Sequence, residues 1–478
     1  MRLTGLSPAD SFHASDTADS YNPNQMLLSL RRAYAVSHWR KLGVALLFVV
    51  CGTVFFLRGP FRAARDSDLN DLISPYIQAT ALVHGADPYS PQSLLQFWPA
   101  DALGSRPDTH EFGDGSILTR HGIPTAYPLT SFLLLAPFTF LPWHVFKVLA
   151  NFANVALFFF AVRSLATVTE MNRTRTLFFT AAALLFAPIH TGIAAYNLAI
   201  IATELGIVSL LEHRRNEIGS GLLIALSTAL KPQIGLCFLI YHIARRTNRV
   251  LVLGTLATLV AAPITWLAFA HVNWLSNYAF DNHALLTTGV LADFTDRNPL
   301  RFGLVNLQVG IYPFLHNRQA ANVSALVFSF ALFAVWILLV SRMRQGDVLC
   351  LGTLATISLL PVYHRFYDAT LLLIPLCYLL ARPRLNRRCV IGLLALSAFM
   401  VPGGSMLETL RNRGLINSAL SSADWWNGLV MAHAVWVLVL LALVLLYEMS
   451  TVARCGAELH QQRMKYLISK MEMHASAS

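Results

Sequence analysis

Apolar runs dominate the pattern along the chain. They fall at roughly 42–57, 126–141, 143–163, 177–189, 197–211, 218–230, 232–243, 249–270, 320–341, 347–360, 369–381, 389–402 and 429–447. Many are shorter than the roughly 17–20 residues that cross a bilayer as a straight helix. Short, proline-interrupted helices are tolerated where they line a protein-buried or wet cavity rather than lipid. The predicted fold is therefore all-α, a polytopic transmembrane helical bundle with an internal cavity. Thirteen runs cannot return the chain to its starting side, and Leu141-Pro142-Trp143 joins two of them around one short turn. The expectation is about 12 crossings plus one partial helix in 126–163.

The polar stretches complete the layout. Residues 1–41 are expected to be a cytoplasmic tail, largely disordered over 1–30, because they are polar and rich in Ser, Asp and Asn. Residues 58–125 form a large first outer loop that holds eight of the 25 acidic residues, with a juxtamembrane helix predicted from Leu69 to His84. A loop this long is usually functional or disordered. Residues 42–447 are read as the transmembrane domain and 448–478 as a basic cytoplasmic tail near anionic lipid.

Composition sharpens this picture. The chain of 478 residues is 55% hydrophobic and 13% charged, against about 25% charged in soluble proteins. That excludes a soluble enzyme, a disordered chain and a coiled coil. The net charge of +11 reports orientation rather than nucleic-acid binding. With both termini and the short basic links placed in the cytoplasm, that side holds 23 Lys/Arg in 109 residues against 11 in 151 opposite. This is the positive-inside bias. The six cysteines show no paired spacing and read as apolar packing residues.

Charges at membrane depth are costly, and each is a functional hypothesis. Lys231-Pro232 places one cation inside an apolar stretch of about 26 residues. Proline stops the preceding helix, so the ammonium either snorkels to the interface or points into a cavity as a point charge for an anionic headgroup. Val362-Tyr363-His364-Arg365-Phe366-Tyr367-Asp368 is either an aromatic belt with an Arg–Asp pair or a site for a polar, ring-shaped ligand. There Arg365 would fork onto phosphate and rings would stack on a sugar. Tyr196 and Asn197 follow the Pro188 break on the same predicted face, with Asp71 in the outer loop. Asp66-Ser67-Asp68 has the form of a metal-holding pair, but three residues are weak evidence. His190, His283 and His316 lack ligand spacing and read as satisfied interfacial histidines.

Four segments in order resemble the polytopic glycosyltransferases of family eighty-seven, in the GT-C class. They are Asp71 through Ala79-Thr80-Ala81-Leu82-Val83-His84-Gly85-Ala86-Asp87-Pro88-Tyr89, Ala126-Tyr127-Pro128-Leu129, Gly221-Leu222 through Lys231-Pro232, and Pro361 to Asp368 before Leu371-Leu372-Leu373. The resemblance covers about 42–385. It departs at Ala194-Ala195-Tyr196-Asn197, where the family often has Gly-Gln-x-Asn, and at Pro75, where the family prefers an aromatic residue and the following helix is expected to change.

The resemblance implies an inverting transfer of a hexose, mannose-like, from a polyprenyl-phosphate donor to a glycan or lipid acceptor on the outer face of a plasma membrane, such as a bacterial inner membrane. Asp71 would be the catalytic base. Lys231 and Arg365 would stabilise the leaving phosphate, and His364, Tyr367, Asp368, Asn197 and Tyr127 would complete substrate binding. No cofactor and no metal are expected. Two competing readings are a transporter or flippase of a polar or lipid-linked substrate, and a non-catalytic subunit of an envelope-glycan assembly complex. The absence of a convincing internal repeat weighs against transport.

Overall fold

The computed structural model describes residues 23–65, 71–102, 127–268, 274–287, 289, 292–343 and 346–477. They are helical almost throughout, with one isolated bridge, Leu304 to Arg365, and no strand among the described residues. The all-α expectation holds. The chain forms two compact units, Met1–Val50 and Cys51–Ser478.

In the first unit the described residues belong to one helix, Pro23–Arg58, which runs on into the second. Of the stretch 1–30 expected to be disordered, residues 1–22 lie outside the described residues and 23–30 belong to this helix. Met26, Leu27, Leu28 and Leu30 are good helix formers there, and Pro23 stands at the first helical position, where its missing N–H costs nothing.

Four helices among the described residues are long and apolar enough to cross a membrane: Lys41–Arg65, Trp143–Val168, Arg318–Val340 and His433–Cys455. The number rises to six if each of two bent pairs is one span, Arg173–Leu185 with Ala187–Ala194, and Arg387–Met400 with Gly403–Asn412. Six further apolar helices are 10–17 residues long, so length alone does not carry them across. The apolar faces of the long helices are bare: Phe152 is 73% exposed, Val327 64% and Leu338 58%. A water-facing surface would not expose so many large apolar side chains together, whereas a bilayer would cover them. The predicted pair around Pro142 differs in length. Trp143–Val168 runs 26 residues and is long enough to cross, whereas the length of Leu129–Phe138 alone does not carry it across.

The core lies around Asp347–Ser358. Every residue from Val348 to Ile357 in this helix is buried, as expected of a helix apolar on all faces. Leu371 to Ile374 pack into the same interior. Five of the six cysteines are buried and unpaired, and Cys455 is exposed. The stretches 271–319 and 403–428, which lie between the apolar runs, carry helices of their own, Trp274–Thr287 and Leu307–Leu315 in the first and Gly403–Asn412 in the second.

Candidate active site

Three helix breaks build the site. The first is at Lys231, between Glu217–Leu230 and Pro232–Ala244. Pro232 has no N–H to continue the ladder, so Lys231 turns extended, at φ −149° and ψ 93°. The carbonyls orphaned at this helix end find side-chain donors. Ser131 Oγ donates to Leu230 O at 2.8 Å and Ala229 O at 3.0 Å, and Thr130 Oγ1 also donates to Ala229 O. Gly235 lets the two helices close up, since a Cβ there would lie 2.3 Å from the backbone of Thr228.

The second break lies between Ala187–Ala194 and Leu198–His213. Asn197 N donates to Gly192 O at 3.0 Å and Tyr196 N to Ile193 O at 3.1 Å, the paired bonds of a Schellman ending. Its left-handed position usually takes glycine, but Tyr196 fills it at φ 53°. A non-glycine residue in that region is strained by roughly 1 kcal/mol or more. The turn delivers Asn197 as the next N-cap, its Oδ1 accepting from Ala199 N at 2.9 Å. Gly192 permits the close contact of this turn with the third break, because a Cβ would meet Tyr367 Cβ at 3.2 Å and the Ile200 side chain at 2.3 Å.

The third break is the link from Pro361 to Asp368. It is pinned from the side by the segment after Gly303. Val305 N donates to His364 O and Leu307 N to Leu360 O, both at 2.9 Å, and Gln308 Nε2 donates to Pro361 O at 2.8 Å. A short 3-10 helix, Phe366–Leu372, follows.

These breaks bring one continuous polar chain together. Asn197 Nδ2 donates to Asp71 Oδ2 at 2.8 Å. Asn197 Oδ1 accepts from Lys231 Nζ at 3.3 Å and from Tyr127 Oη at 3.5 Å. Lys231 Nζ reaches Asp368 Oδ1 at 2.6 Å and lies 5.2 Å from the Tyr367 ring centre. Asp368 Oδ2 accepts from Arg365 N at 3.1 Å and faces His364 Nδ1 at 3.1 Å. A carboxylate here selects the imidazole tautomer protonated at Nδ1, and His364 Nε2 is buried without a hydrogen-bond partner. The Arg365 guanidinium lies close enough to Tyr367 and Asp71 to interact with both. Asp71 is itself held by its backbone, N to Ala195 O at 3.0 Å.

Burial grades across this chain. His364 and Asp368 are fully buried, and Asn197 and Lys231 nearly so, while Asp71, Tyr127 and Arg365 are half-buried. The open side thus presents a carboxylate, a phenol and a guanidinium over an interior ion pair. The alternative of a snorkelling Lys231 is overturned, since its ammonium is inside and paired. A buried pair costs desolvation and is weak evidence for stability; what it secures is a cation in a defined place.

Every residue singled out from the sequence as catalytic or substrate-binding falls in this network. Asp66-Ser67-Asp68 lies outside the described residues. Pro75 does not disturb its helix: Ile73–Val83 is regular with Pro75 in the first turn, where no intrahelical donor is missing. Of the predicted juxtamembrane helix, Leu69 to His84, residues 69 and 70 lie outside the described residues and Ile73–Val83 is helical. Ala195, at the family's Gln position, contributes only its carbonyl, to Asp71. Of the three scattered histidines, His316 pairs with Asp424 at 3.0 Å, whereas His190 Nε2 is buried without a partner and so is not satisfied. Sequence reasoning missed Thr130 and Ser131. Their signal was two adjacent hydroxyls opening an apolar helix that has to dock on a broken one.

Residues 125–361 match the family model of Glycosyltransferase family 87. No curated protein and no solved structure gives a match. The matched stretch contains Tyr127, Asn197 and Lys231 and ends at Pro361, where the His364–Asp368 link begins; Asp71 precedes it. The match points to glycosyl transfer, and with the apolar helices to a membrane protein.

Proposed function

We propose that the chain is an integral membrane glycosyltransferase that moves a hexose from a polyprenyl-phosphate donor to a glycan or lipid acceptor, with inversion, on the outer face of the plasma membrane. The observation that carries this reading is the single polar network that joins Asp71 to Lys231 and Asp368 through Asn197. Transfer from a lipid phosphate needs a base for the acceptor hydroxyl and cations for the leaving phosphate, and both kinds of group meet here.

Asp71 is the base. One of its oxygens is held by Asn197, which keeps the carboxylate aimed, and proton abstraction by a positioned side chain contributes typically about 10²–10⁴-fold. The acceptor oxygen attacks the anomeric carbon, its bond to the phosphate oxygen breaks, and the proton passes to Asp71. Arg365 and Lys231 divide the electrostatic work. Arg365 is half-buried and faces the side of Asp71, so it meets the phosphate directly. Lys231 lies deeper, already compensated by Asp368, and supports the developing charge from behind. Tyr367 and Tyr127 border the sugar.

The test is transfer itself. Protein reconstituted in liposomes with a radiolabelled polyprenyl-phosphate hexose is expected to move label into a glycosidic product. Label that crosses the bilayer without forming a new glycosidic bond would favour transport and overturn the reading.

A further inference from the structure

A second polar cluster lies beside this site and is not used by the reaction as derived. It is formed by the turn around Asp87 and the Trp274–Thr287 helix. Asp87 Oδ1 accepts from Tyr89 N at 2.9 Å and its Oδ2 accepts from Asn277 Nδ2 at 2.5 Å. Asp281, one turn further along the helix, is 2% exposed, and its Oδ2 has no hydrogen-bond partner. The two carboxyls are close enough to feel each other, and burial first, then Asp87, pushes the Asp281 carboxyl up to about 8.

Aromatic rings surround these carboxyls. Tyr89 is buried, with its ring centre 5.0 Å from that of Tyr278 and 6.5 Å from that of Trp274. Asp87, Asn277 and Tyr278 are half-buried and form the reachable side. The cluster connects to the first site through one residue. Tyr89 Oη donates to Tyr127 O at 2.6 Å, and the Tyr127 hydroxyl in turn points at Asn197.

A buried carboxyl oxygen without a donor costs roughly 1–3 kcal/mol or more, and native structures seldom leave one so. A ligand rich in hydroxyls supplies such donors. Its C–H face packs on aromatic rings while its hydroxyls bond at the edge. We propose that Asp87 and Asp281, flanked by Tyr89 and Tyr278, form a subsite for the hydroxyls of an acceptor sugar, next to the Asp71 site. The inference rests on the transferase reading for its word acceptor. Its chemistry, recognition of a neutral polyhydroxylated ring, does not. Asp281 acts as acceptor or donor according to its proton, Asp87 as acceptor, and Tyr278 as the stacking face.

The experiment is a binding measurement on the full chain in detergent micelles, without donor and without turnover. Saturation-transfer NMR is recorded with methyl α-mannopyranoside and methyl β-glucopyranoside as probes. At least one is expected to give a signal with wild type that falls fivefold or more in Asp281→Leu, Asp87→Asn and Tyr278→Leu, each checked by thermal unfolding. Tyr278 is half-buried, so its replacement keeps the test alive if a variant at Asp281 fails to fold. No signal from either glycoside with wild type, signals unchanged in the variants, or Mn²⁺ binding that the variants abolish while no sugar binds, each overturns the proposal. The transferase reading fails separately: wild type that binds glycosides but forms no product sinks that reading and leaves the subsite standing. Wild type that transfers, with an acceptor KM unchanged in Asp281→Asn, does the reverse.

Discussion

The Lys231 ammonium lies 2.6 Å from the Asp368 carboxylate, with side chains 6% and 0% exposed. Removing one partner of such a pair leaves an uncompensated buried charge, at a cost of about 3–5 kcal/mol. Lys231→Met and Asp368→Asn are each expected to lower thermal stability strongly. Lys231→Met combined with Asp368→Leu should recover much of that loss while remaining inactive. Differential scanning fluorimetry of the three variants checks this, and an additive double variant would contradict it.

Asn197 is the hinge of the network because its amide donates on one side and accepts on the other. Asn197→Asp removes the donor and sets a second carboxylate against Asp71. Its kcat is expected to fall by about 10²-fold or more, within the range of a misplaced general base. Asn197→Asp with wild-type kcat would show that the amide does not hold the base.

Thr130 and Ser131 hold the end of the helix that presents Lys231. Ser131→Ala orphans Leu230 O, which is expected to destabilise by about 1–3 kcal/mol and to raise the donor KM by displacing the ammonium. A variant that lost stability but kept its KM would confine the hydroxyl to a structural role.

Asp281 makes stability depend on pH with a definite sign. Its folded pKa, about 8, lies above the ordinary carboxylate value of 3.8. The proton is therefore bound more tightly in the folded state, and the stabilisation from it is fully present below about pH 4 and lost as pH rises through 8. Wild type should lose thermal stability progressively between about pH 4 and about pH 8, and Asp281→Asn should show a flatter profile over that window. Parallel profiles would contradict the assignment.

How much of this was legible in the sequence follows from what kind of signal each residue carries. Lys231-Pro232 announces itself, because a lone cation next to a helix stop in an apolar run has few physical readings. Asp71, Asn197 and the His364–Asp368 link were legible as polar groups where hydropathy gives no reason for them. Their mutual bonding was not legible, since it depends on three helix breaks stacking in space over about 300 residues of chain. Lys231 has its partner, Asp368, 137 positions away, so the pair was not legible locally, and the sequence offered only a snorkelling ammonium or a charge for an anionic headgroup. Crossing number was the weakest inference, because a short apolar helix buried in protein and one crossing lipid share the same composition. Asp281 was visible as an acid in a long polar region, but only its burial distinguishes it from Asp296, which is exposed.

The central claim is that Asp71 deprotonates the acceptor in a glycosyl transfer. The most direct measurement is single-turnover transfer from a labelled polyprenyl-phosphate hexose by purified wild type and Asp71→Asn, with donor binding measured in parallel. The account predicts a glycosidic product from wild type, a rate at least about 10²-fold lower for Asp71→Asn, and donor affinity unchanged within a few fold. Full turnover by Asp71→Asn would contradict it.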